Sequence, residues 1–351
     1  MKIALTSDLH LTSRSHHPER YRALEAILTD LVDQDIRRLI IAGDLFDSSL
    51  KNYSDFEALC GRETFKGIEI HIIPGNHDSD LHGDAITAGN VHIAARAQIL
   101  EPGGILLLPY AEKKTMGAEI ETYAERLAAM KKWILVGHGD WSRGLKDPNP
   151  YEPGIYMPLT PRDVLRYQPV RVFLGHLHAA SGDDRVHIMG SPCGLDITET
   201  GRRRYLVYDI ESDQLESRIV NTDILFFNET FVTFPFEDEI ERMEREISNR
   251  ILSWNLGDSE AEKVRVRVTV KGYSSDRRAL LAAVDGAFSD FSLYKDEKPD
   301  LSQVLLSDDL ELQNLSERVA GEIESLGESE NPDDPSREQV LIAALGVIYG
   351  E

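Results

Sequence analysis

Cysteine is nearly absent: Cys60 and Cys193 are the two in 351 residues. That excludes a disulfide framework and a thiolate zinc cluster, and both read as buried or incidental thiols. No apolar run approaches the ~20 residues needed to cross a bilayer, so no membrane association is expected. The opening Lys2-Ile3-Ala4-Leu5 reads as a strand start, not a secretory leader, and a reducing cytoplasm is the expected compartment. Basic residues are also scarce, 38 Lys and Arg against 61 Asp and Glu, for a net charge of −23. Phosphate backbones attract Lys and Arg, so this balance argues against non-specific coating of duplex nucleic acid. The deficit is uneven: Asp296 to Glu351 holds 15 acidic and 3 basic residues. Local phosphate capture at bound cations stays open, because divalent ions offset carboxylates at their own site. An apolar fraction of 41% and a charged fraction of 28% suit a soluble globular protein. The length favours one large domain plus a smaller one.

What is present is a set of short apolar runs that each end in a group able to hold or assist a metal ion. They read Leu5-Thr6-Ser7-Asp8-Leu9-His10, Ile41-Ala42-Gly43-Asp44, Ile73-Pro74-Gly75-Asn76-His77-Asp78, Val136-Gly137-His138 and Leu174-Gly175-His176-Leu177-His178. Each run has the look of a buried parallel strand, with its polar group in the following turn, the rim where open α/β sheets bind ligands. Taken singly, each is a common turn; Gly-Asn-His-Asp is a turn in which glycine takes the awkward φ and Asn caps. Five such turns in sequential order are a different matter. Asp, Asn and His without thiolate suit two hard-to-borderline divalent ions, manganese foremost. A two-metal site stabilises both the attacking and the leaving oxygen of a displacement at phosphorus.

Between these runs, Glu19–Leu31 carries Tyr21, Leu24, Ile27, Leu28 and Leu31 at helical spacing, giving a βαβ unit. Helices are also expected over Tyr53–Phe65 and 112–131, and strands over Ile68–Ile73 and Trp133–Val136. Gly139–Pro161 reads as a long functional loop. Thr160-Pro161-Arg162-Asp163 opens a short helix by N-cap and N1-proline logic. Val186–Met189, Tyr205–Ile210 and Glu216–Val220 read as antiparallel strands. From Phe226 a strand (Phe231–Phe234), a helix (Glu237–Trp254), a strand (Val264–Val270), a helix (Ser275–Ala287) and a strand (Phe288–Tyr294) suggest a small second domain. An acidic helix over Asp308–Leu326 and a capping-box helix from Ser336, with Gln339 three residues on, end the chain. The last helix is apolar nearly all round, so it must bury itself on its own domain or on a partner.

The order Asp-x-His, Gly-Asp-x-x-Asp, Gly-Asn-His-Asp, His, Gly-His-x-His resembles the calcineurin-like metallophosphoesterase superfamily over roughly the first 220 residues. The resemblance implies a four-layer αββα sandwich, with a smaller α/β capping domain and C-terminal helices beyond it. The boundaries expected are 1–225, 226–300 and 301–351. It implies one ion on Asp8, His10, Asp44 and His178, and another on Asp44, Asn76, His138 and His176, with Asp44 bridging. Water activated by the ions would be the nucleophile, so no protein nucleophile is required. His77 would protonate the leaving oxygen, and Asp47 would orient His77 and favour its acid form. The bland reading of Asp47 is a turn or helix cap. Asp78 reads as turn support. His16, His17, His71, His82, His92 and His187 lie outside the pattern.

Within that superfamily, Gly154-Ile155-Tyr156-Met157-Pro158-Leu159-Thr160 and Met189-Gly190-Ser191-Pro192 with their flanks are similar to SbcD/Mre-type DNA repair nucleases. The implied activity is a manganese-dependent DNA exonuclease and single-strand endonuclease. Its implied partners are DNA, an SMC-like coiled-coil ATPase and a second copy of the chain. Candidate DNA contacts are Arg14, Trp141 and Arg143, with Lys146 and Arg202–Arg204 as further basic residues. Asp47 is histidine in many archaeal and eukaryotic members, which places this chain nearer the bacterial type. The acidic tail leaves little room for a basic DNA-binding one. The alternatives are a phosphodiesterase of cyclic or small nucleotides and a non-catalytic interaction scaffold.

Overall fold

Apolar side chains on both faces make the strands of the first half double-sided. In the computed structural model, which describes residues 1–142, 154–235, 237–326 and 334–350, they form two sheets. The chain runs through β1 (Lys2–Thr6), α1 (Pro18–Asp33), β2 (Arg38–Ala42), α2 (Tyr53–Cys60), β3 (Glu69–Ile73), β4 (Val91–Ile93), β5 (Gln98–Leu100) and β6 (Ile105–Leu108). It continues through α3 (Met116–Glu121), α4 (Ala124–Ala128), β7 (Ile134–His138), α5 (Pro161–Tyr167), β8 (Arg171–Gly175), β9 (Ser181–Gly182), β10 (Val186–Ile188), β11 (Arg204–Asp209) and β12 (Gln214–Ile219). The first sheet has the order β12-β11-β1-β2-β3-β4 and the second β5-β6-β7-β8-β10-β9. Strands β1 to β4 are mutually parallel, as are β6, β7, β8 and β10.

Strand alternation divides the side chains into three cores. Ile3, Leu5, Ile40, Ala42 and Ile73 of the first sheet share one core with Ile105, Leu107, Ile134, Val136 and Phe173 of the second. Their neighbours Ala4, Leu39, Ile41, Ile70 and Ile72 face the other way, onto Tyr21, Leu24, Ile27, Leu28 and Phe56 of α1 and α2. Leu106, Leu108, Leu135, Val172 and Leu174 pack on Met116, Ile120, Leu127 and Val164 of α3, α4 and α5. The result is a mixed α/β sandwich of four layers, helices outside and two sheets within. Local signals set the helices: Pro18 opens α1, and Thr160 with Asp163 forms a capping box on α5.

The expected antiparallel run after His178 needs correction at one strand. Residues Val186–Ile188 pair parallel with β8, while the antiparallel pairs are β10 with β9, β1 with β11 and β11 with β12. The turn through His176 and His178 returns the chain along the second sheet before it crosses to the first.

The contacts divide the chain into Met1–Leu195 with Arg202–Ile224, and Asp196–Gly201 with Leu225–Glu351. The second unit contains β13 (Leu225–Thr233), α6 (Glu239–Ser253), β14 (Val264–Ser274), α7 (Arg277–Ala287), β15 (Ser292–Leu293), β16 (Asp300–Leu306), α8 (Leu310–Ser325) and α9 (Arg337–Tyr349). Its first strand is longer than the expected Phe231–Phe234, and the expected strand over Phe288–Tyr294 shrinks to two residues. The sequence reading missed β16, which pairs parallel with β14 through Leu305 and Leu306. Leu345 of α9 and Ala320 of α8 pack with Val232 of β13, Phe234 just beyond its end and Tyr273 of β14.

Candidate metal centre

Every expected metal-binding residue in the first unit sits at the C-terminal rim of the paired sheets. Asp8 and His10 follow β1, Asp44 follows β2, and Asn76 and His77 follow β3. His138 is the last residue of β7, and His176 and His178 follow β8. The two sheets meet face to face, so two sets of turns converge. Asp8, His10, Asp44 and His176 all adopt positive φ, at 55°, 45°, 49° and 100°. Non-glycine residues rarely hold that conformation, and such strain collects where function over-determines the backbone. Glycines make the approach possible. A Cβ on Gly43, whose φ is +86°, would lie 2.0 Å from His138 Nδ1, and one on Gly75 would lie 2.1 Å from Asp44 Oδ1.

Three groups of side chains are close enough to share an ion: Asp8, His10 and His178; His10, Asp44 and His77; and Asp44, His138 and His176. Asp44 belongs to two of them. Its Oδ1 accepts from His77 N at 2.9 Å. Its Oδ2 is fully buried and accepts no hydrogen bond, with His138 Nε2 at 3.3 Å and His10 Nε2 at 3.8 Å. His10 Nε2 and His178 Nε2 approach to 3.1 Å. Two such nitrogens require a proton or a cation between them. Asn76 Oδ1 faces His138 Nε2 at 2.8 Å and His176 Nδ1 at 3.0 Å. Buried oxygen and nitrogen donors converging around an orphaned carboxylate oxygen fit a pair of divalent cations.

Buried together, these groups titrate in opposite directions. Burial raises the Asp8 carboxyl above its ordinary range, against the pull of His138 and His178. Burial lowers His10 to about 3, so its imidazole is neutral and its lone pair available at neutral pH. Burial also opposes ionisation of Asp44, but the facing His138 and His10 outweigh it and hold the carboxyl well below its usual range. His138 rises to about 10 despite its burial, because Asp44 and Asp8 favour its charged form. A cation bound beside His138 would take the place of that proton.

The surrounding polar groups hold the turns. Asp78 accepts from Gly75 N at 2.7 Å and Phe46 N at 3.1 Å, the expected turn support; burial and nearby Asp44 push it up to about 6. Asp47 Oδ1 accepts from both Ser49 N at 2.8 Å and Ser49 Oγ at 2.6 Å, a local turn. Burial opposes its ionisation, yet those Ser49 bonds hold the carboxyl below its ordinary range. His77 lies edge-on to His10, ring centres 4.7 Å apart.

Three of the candidate DNA contacts are engaged already. Arg14 pairs with Glu25 at 3.3 Å. Trp141 bridges Leu159 through its backbone and packs on the core around Met116 and Leu159. Arg143 and Lys146 lie outside the described residues. Arg203 donates to His178 O and to Ser191 Oγ and O, so it braces the turn of a candidate ligand. Sequence reasoning missed that role, and it missed Asp140. Asp140 is fully buried, with Oδ1 at 3.5 Å from His176 Nε2. The signal was present: Gly139-Asp140 after β7 repeats Gly43-Asp44 after β2.

Two archaeal DNA double-strand break repair proteins named Mre11 match over 87 residues, at 33% identity in Methanosarcina acetivorans and 32% in Methanosarcina mazei. Each match covers 22% of this chain and only 14% of the relative's length. Similar solved structures include a protein of Thermus thermophilus, at 13% identity over 63% of this chain and 99% of that one, with a TM-score of 0.41. Another is a purple acid phosphatase from yellow lupin seeds, at 11% identity over 62% of this chain and 52% of that one, with a TM-score of 0.39. No helix among the described residues is long and apolar enough to cross a membrane. The profile of calcineurin-like phosphoesterases matches residues 1–180, about half of the chain, and with it the chain belongs to that family of phosphoester hydrolases.

Proposed function

We propose that the chain is a two-metal phosphodiester hydrolase acting on DNA. The orphaned Asp44 Oδ2, shared between two groups of buried donors, is the observation that carries the hydrolase part. Asp8, His10, Asp44 and His178 would hold one divalent ion, and Asp44, Asn76, His138 and His176 the other, with manganese the expected metal. Such a pair supplies Lewis acidity and an activated water for displacement at phosphorus. The chain's own residues do the rest. His77 stands beside His10 at the edge of the centre and is the group to donate a proton to the leaving oxygen. Asp47 is the residue to orient it, and the measurement that decides between this and its turn role is the pH profile of an Asp47→Asn variant.

DNA is preferred as substrate because of the short match to the two archaeal repair proteins. The last helix supports a further partner. Only Leu345 of α9 is fully buried, and Val347 is 81% exposed on a helix with few polar residues. Exposed apolar surface of this kind fits the coiled coil of an SMC-like ATPase, in a cytoplasmic complex that also includes a second copy of the chain. A Val347→Asp variant would then lose co-purification with that ATPase while keeping its metal content.

The test is degradation of linear DNA by purified protein with manganese, alone and with the ATPase, against Asn76→Ala and His77→Ala controls. Loss in both variants is the expected result; a wild-type protein inert in every condition overturns the reading. A second reading is a phosphodiesterase of small or cyclic nucleotides. It is favoured by the pairing of Arg14 with Glu25 and of Arg203 with His178 and Ser191, which leaves fewer cations for a backbone. Turnover of bis-p-nitrophenyl phosphate and cyclic nucleotides without turnover of DNA would select it.

A further inference from the structure

We propose that Arg20 is a positioning residue: its buried guanidinium anchors the backbone of His10 and so holds the turn through Asp8 and His10 in the conformation that presents both side chains to the centre. The anchor rests on geometry alone, and its effect on an ion rests on the two-metal reading.

Arg20 is only 7% exposed. Buried arginines ordinarily face a carboxylate, because an unpaired charge away from water is costly. This one does not. Its hydrogen bond runs from Nη1 to His10 O, no carboxylate pairs with it among the described residues, and its Nε has no acceptor. A charge-assisted bond to one carbonyl is therefore what this guanidinium is placed to make.

The turn leaves that carbonyl for it. Asp8 N donates to Gly43 O at 3.1 Å, His10 N to Asp44 O at 3.0 Å and Leu11 N to Leu45 O at 2.8 Å, while Leu11 O accepts from Asp47 N at 3.0 Å. These bonds zip the turn after β1 to the turn after β2. His10 O has no partner in that zip, and Arg20 reaches it from the first turn of α1. The next residue, Tyr21, donates its hydroxyl to Thr12 O at 2.8 Å. Two consecutive side chains of one helix thus hold carbonyls two residues apart. Tyr21, Leu24, Ile27 and Leu28 seat that helix in the core, so the anchor is rigid.

The consequence falls on the imidazole. His10 has a φ of 45°, a conformation that a non-glycine residue leaves when its backbone is freed. Held at N by Asp44 O and at O by Arg20, His10 keeps Nε2 at 3.1 Å from His178 Nε2 and 3.8 Å from Asp44 Oδ2. The charge of the guanidinium acts in the other direction, because a cation beside a cation site weakens binding by repulsion. Anchoring and repulsion have opposite signs, so metal affinity tells them apart.

The experiment is manganese titration by calorimetry of the wild type, Arg20→Met and Arg20→Lys. Methionine fills the space without donating, and lysine keeps a charged donor. Arg20→Met is expected to bind one of two ions about 10- to 100-fold more weakly, with the other unchanged and Arg20→Lys between it and the wild type. Equal or tighter binding by Arg20→Met overturns the proposal, because packing or repulsion would then be the whole effect of the residue. Equal affinities of the two variants overturn it as well, because the donor would then make no difference. Should the variants not fold, side-chain NMR of metal-free wild type decides. Its Arg20 Nη protons are expected as separate, slowly exchanging resonances, and a single averaged resonance overturns the anchor. Wild-type protein that shows the separate resonances yet binds no manganese would defeat the two-metal reading and leave the anchor standing.

Discussion

His138 Nδ1 lies 2.9 Å from the Ala42 carbonyl oxygen, and this turns Nε2 toward Asp44 Oδ2, 3.3 Å away. The bond ties the end of β7 in one sheet to the end of β2 in the other. It fixes which nitrogen would face a bound cation, because the carbonyl can only accept. His138→Ala removes a donor from the group it forms with Asp44 and His176. Manganese stoichiometry should fall from two ions to one by equilibrium dialysis. Turnover of bis-p-nitrophenyl phosphate should fall by more than about 100-fold, since loss of an outer partner alone costs roughly 10- to 100-fold.

Gly75 gives a sharper test of how tightly the rim is packed. A Cβ there would lie 2.1 Å from Asp44 Oδ1 and 2.4 Å from Asp44 N. The Gly75→Ala protein must move the Asn76–His77 turn or Asp44 itself, and either breaks the bond from His77 N. The expected cost is about 1–3 kcal/mol of stability, read by urea denaturation, together with weakened manganese binding. Wild-type affinity and stability in this variant would mean that the turn is free to relax, contrary to the geometry.

Much of this centre was legible because each polar group directly follows an apolar strand, and buried parallel strands write themselves as short continuous apolar runs. Asp8, Asp44 and His138 could be placed for that reason, and α1 because Tyr21, Leu24, Ile27, Leu28 and Leu31 keep a helical period. Asp140 was hidden by its neighbour: His138 accounted for the strand end, and Gly139-Asp140 read as the start of a loop. Strand β16 was illegible because its buried Leu301 and Val304 are three apart, at odds with the two-residue period of a strand. The direction of β10 was illegible because strand pairing depends on where the chain returns, which a local pattern does not encode. The partners of Arg14 and Arg203 are likewise distant in sequence.

The pH dependence of folding can be separated from the metal centre through His71. It is buried on β3, stacked on His92 with ring centres 5.1 Å apart, and burial lowers it from 6.5 to about 4. Its folded-state value lies below its unfolded one, so the unfolded chain takes up the proton first as pH falls. The stability it contributes is therefore complete above pH ~6.5 and is lost as pH falls toward ~4, at up to about 1.4 kcal/mol per pH unit. His71→Phe should flatten the urea-denaturation free energy between pH ~7 and pH ~4.5 by about 2 kcal/mol, measured with chelator present. An unchanged slope would show that His71 titrates normally in the folded protein.

The second unit has its own polar anchor, and it can be tested independently. Glu229 of β13 is 7% exposed and accepts from Arg250 Nη1 and from Trp254 Nε1, each at 2.8 Å. The Trp254 ring stacks on Phe227 at 4.0 Å, so one carboxylate links the strand, the helix α6 and the aromatic core beneath them. Glu229→Leu takes the acceptor from both donors and should destabilise this unit by about 2–4 kcal/mol. Glu229→Gln keeps an acceptor for Trp254 and loses only the charge opposite Arg250, for a smaller cost of about 1–2 kcal/mol. Tryptophan fluorescence during urea denaturation reads the change, with Trp133→Phe and Trp141→Phe in the background so that Trp254 reports alone. Equal stability of the Leu and Gln variants would mean that the carboxylate fills space without tying α6 to β13. Manganese binding should be the same in both variants as in the parent, because every group of the proposed centre belongs to the other unit.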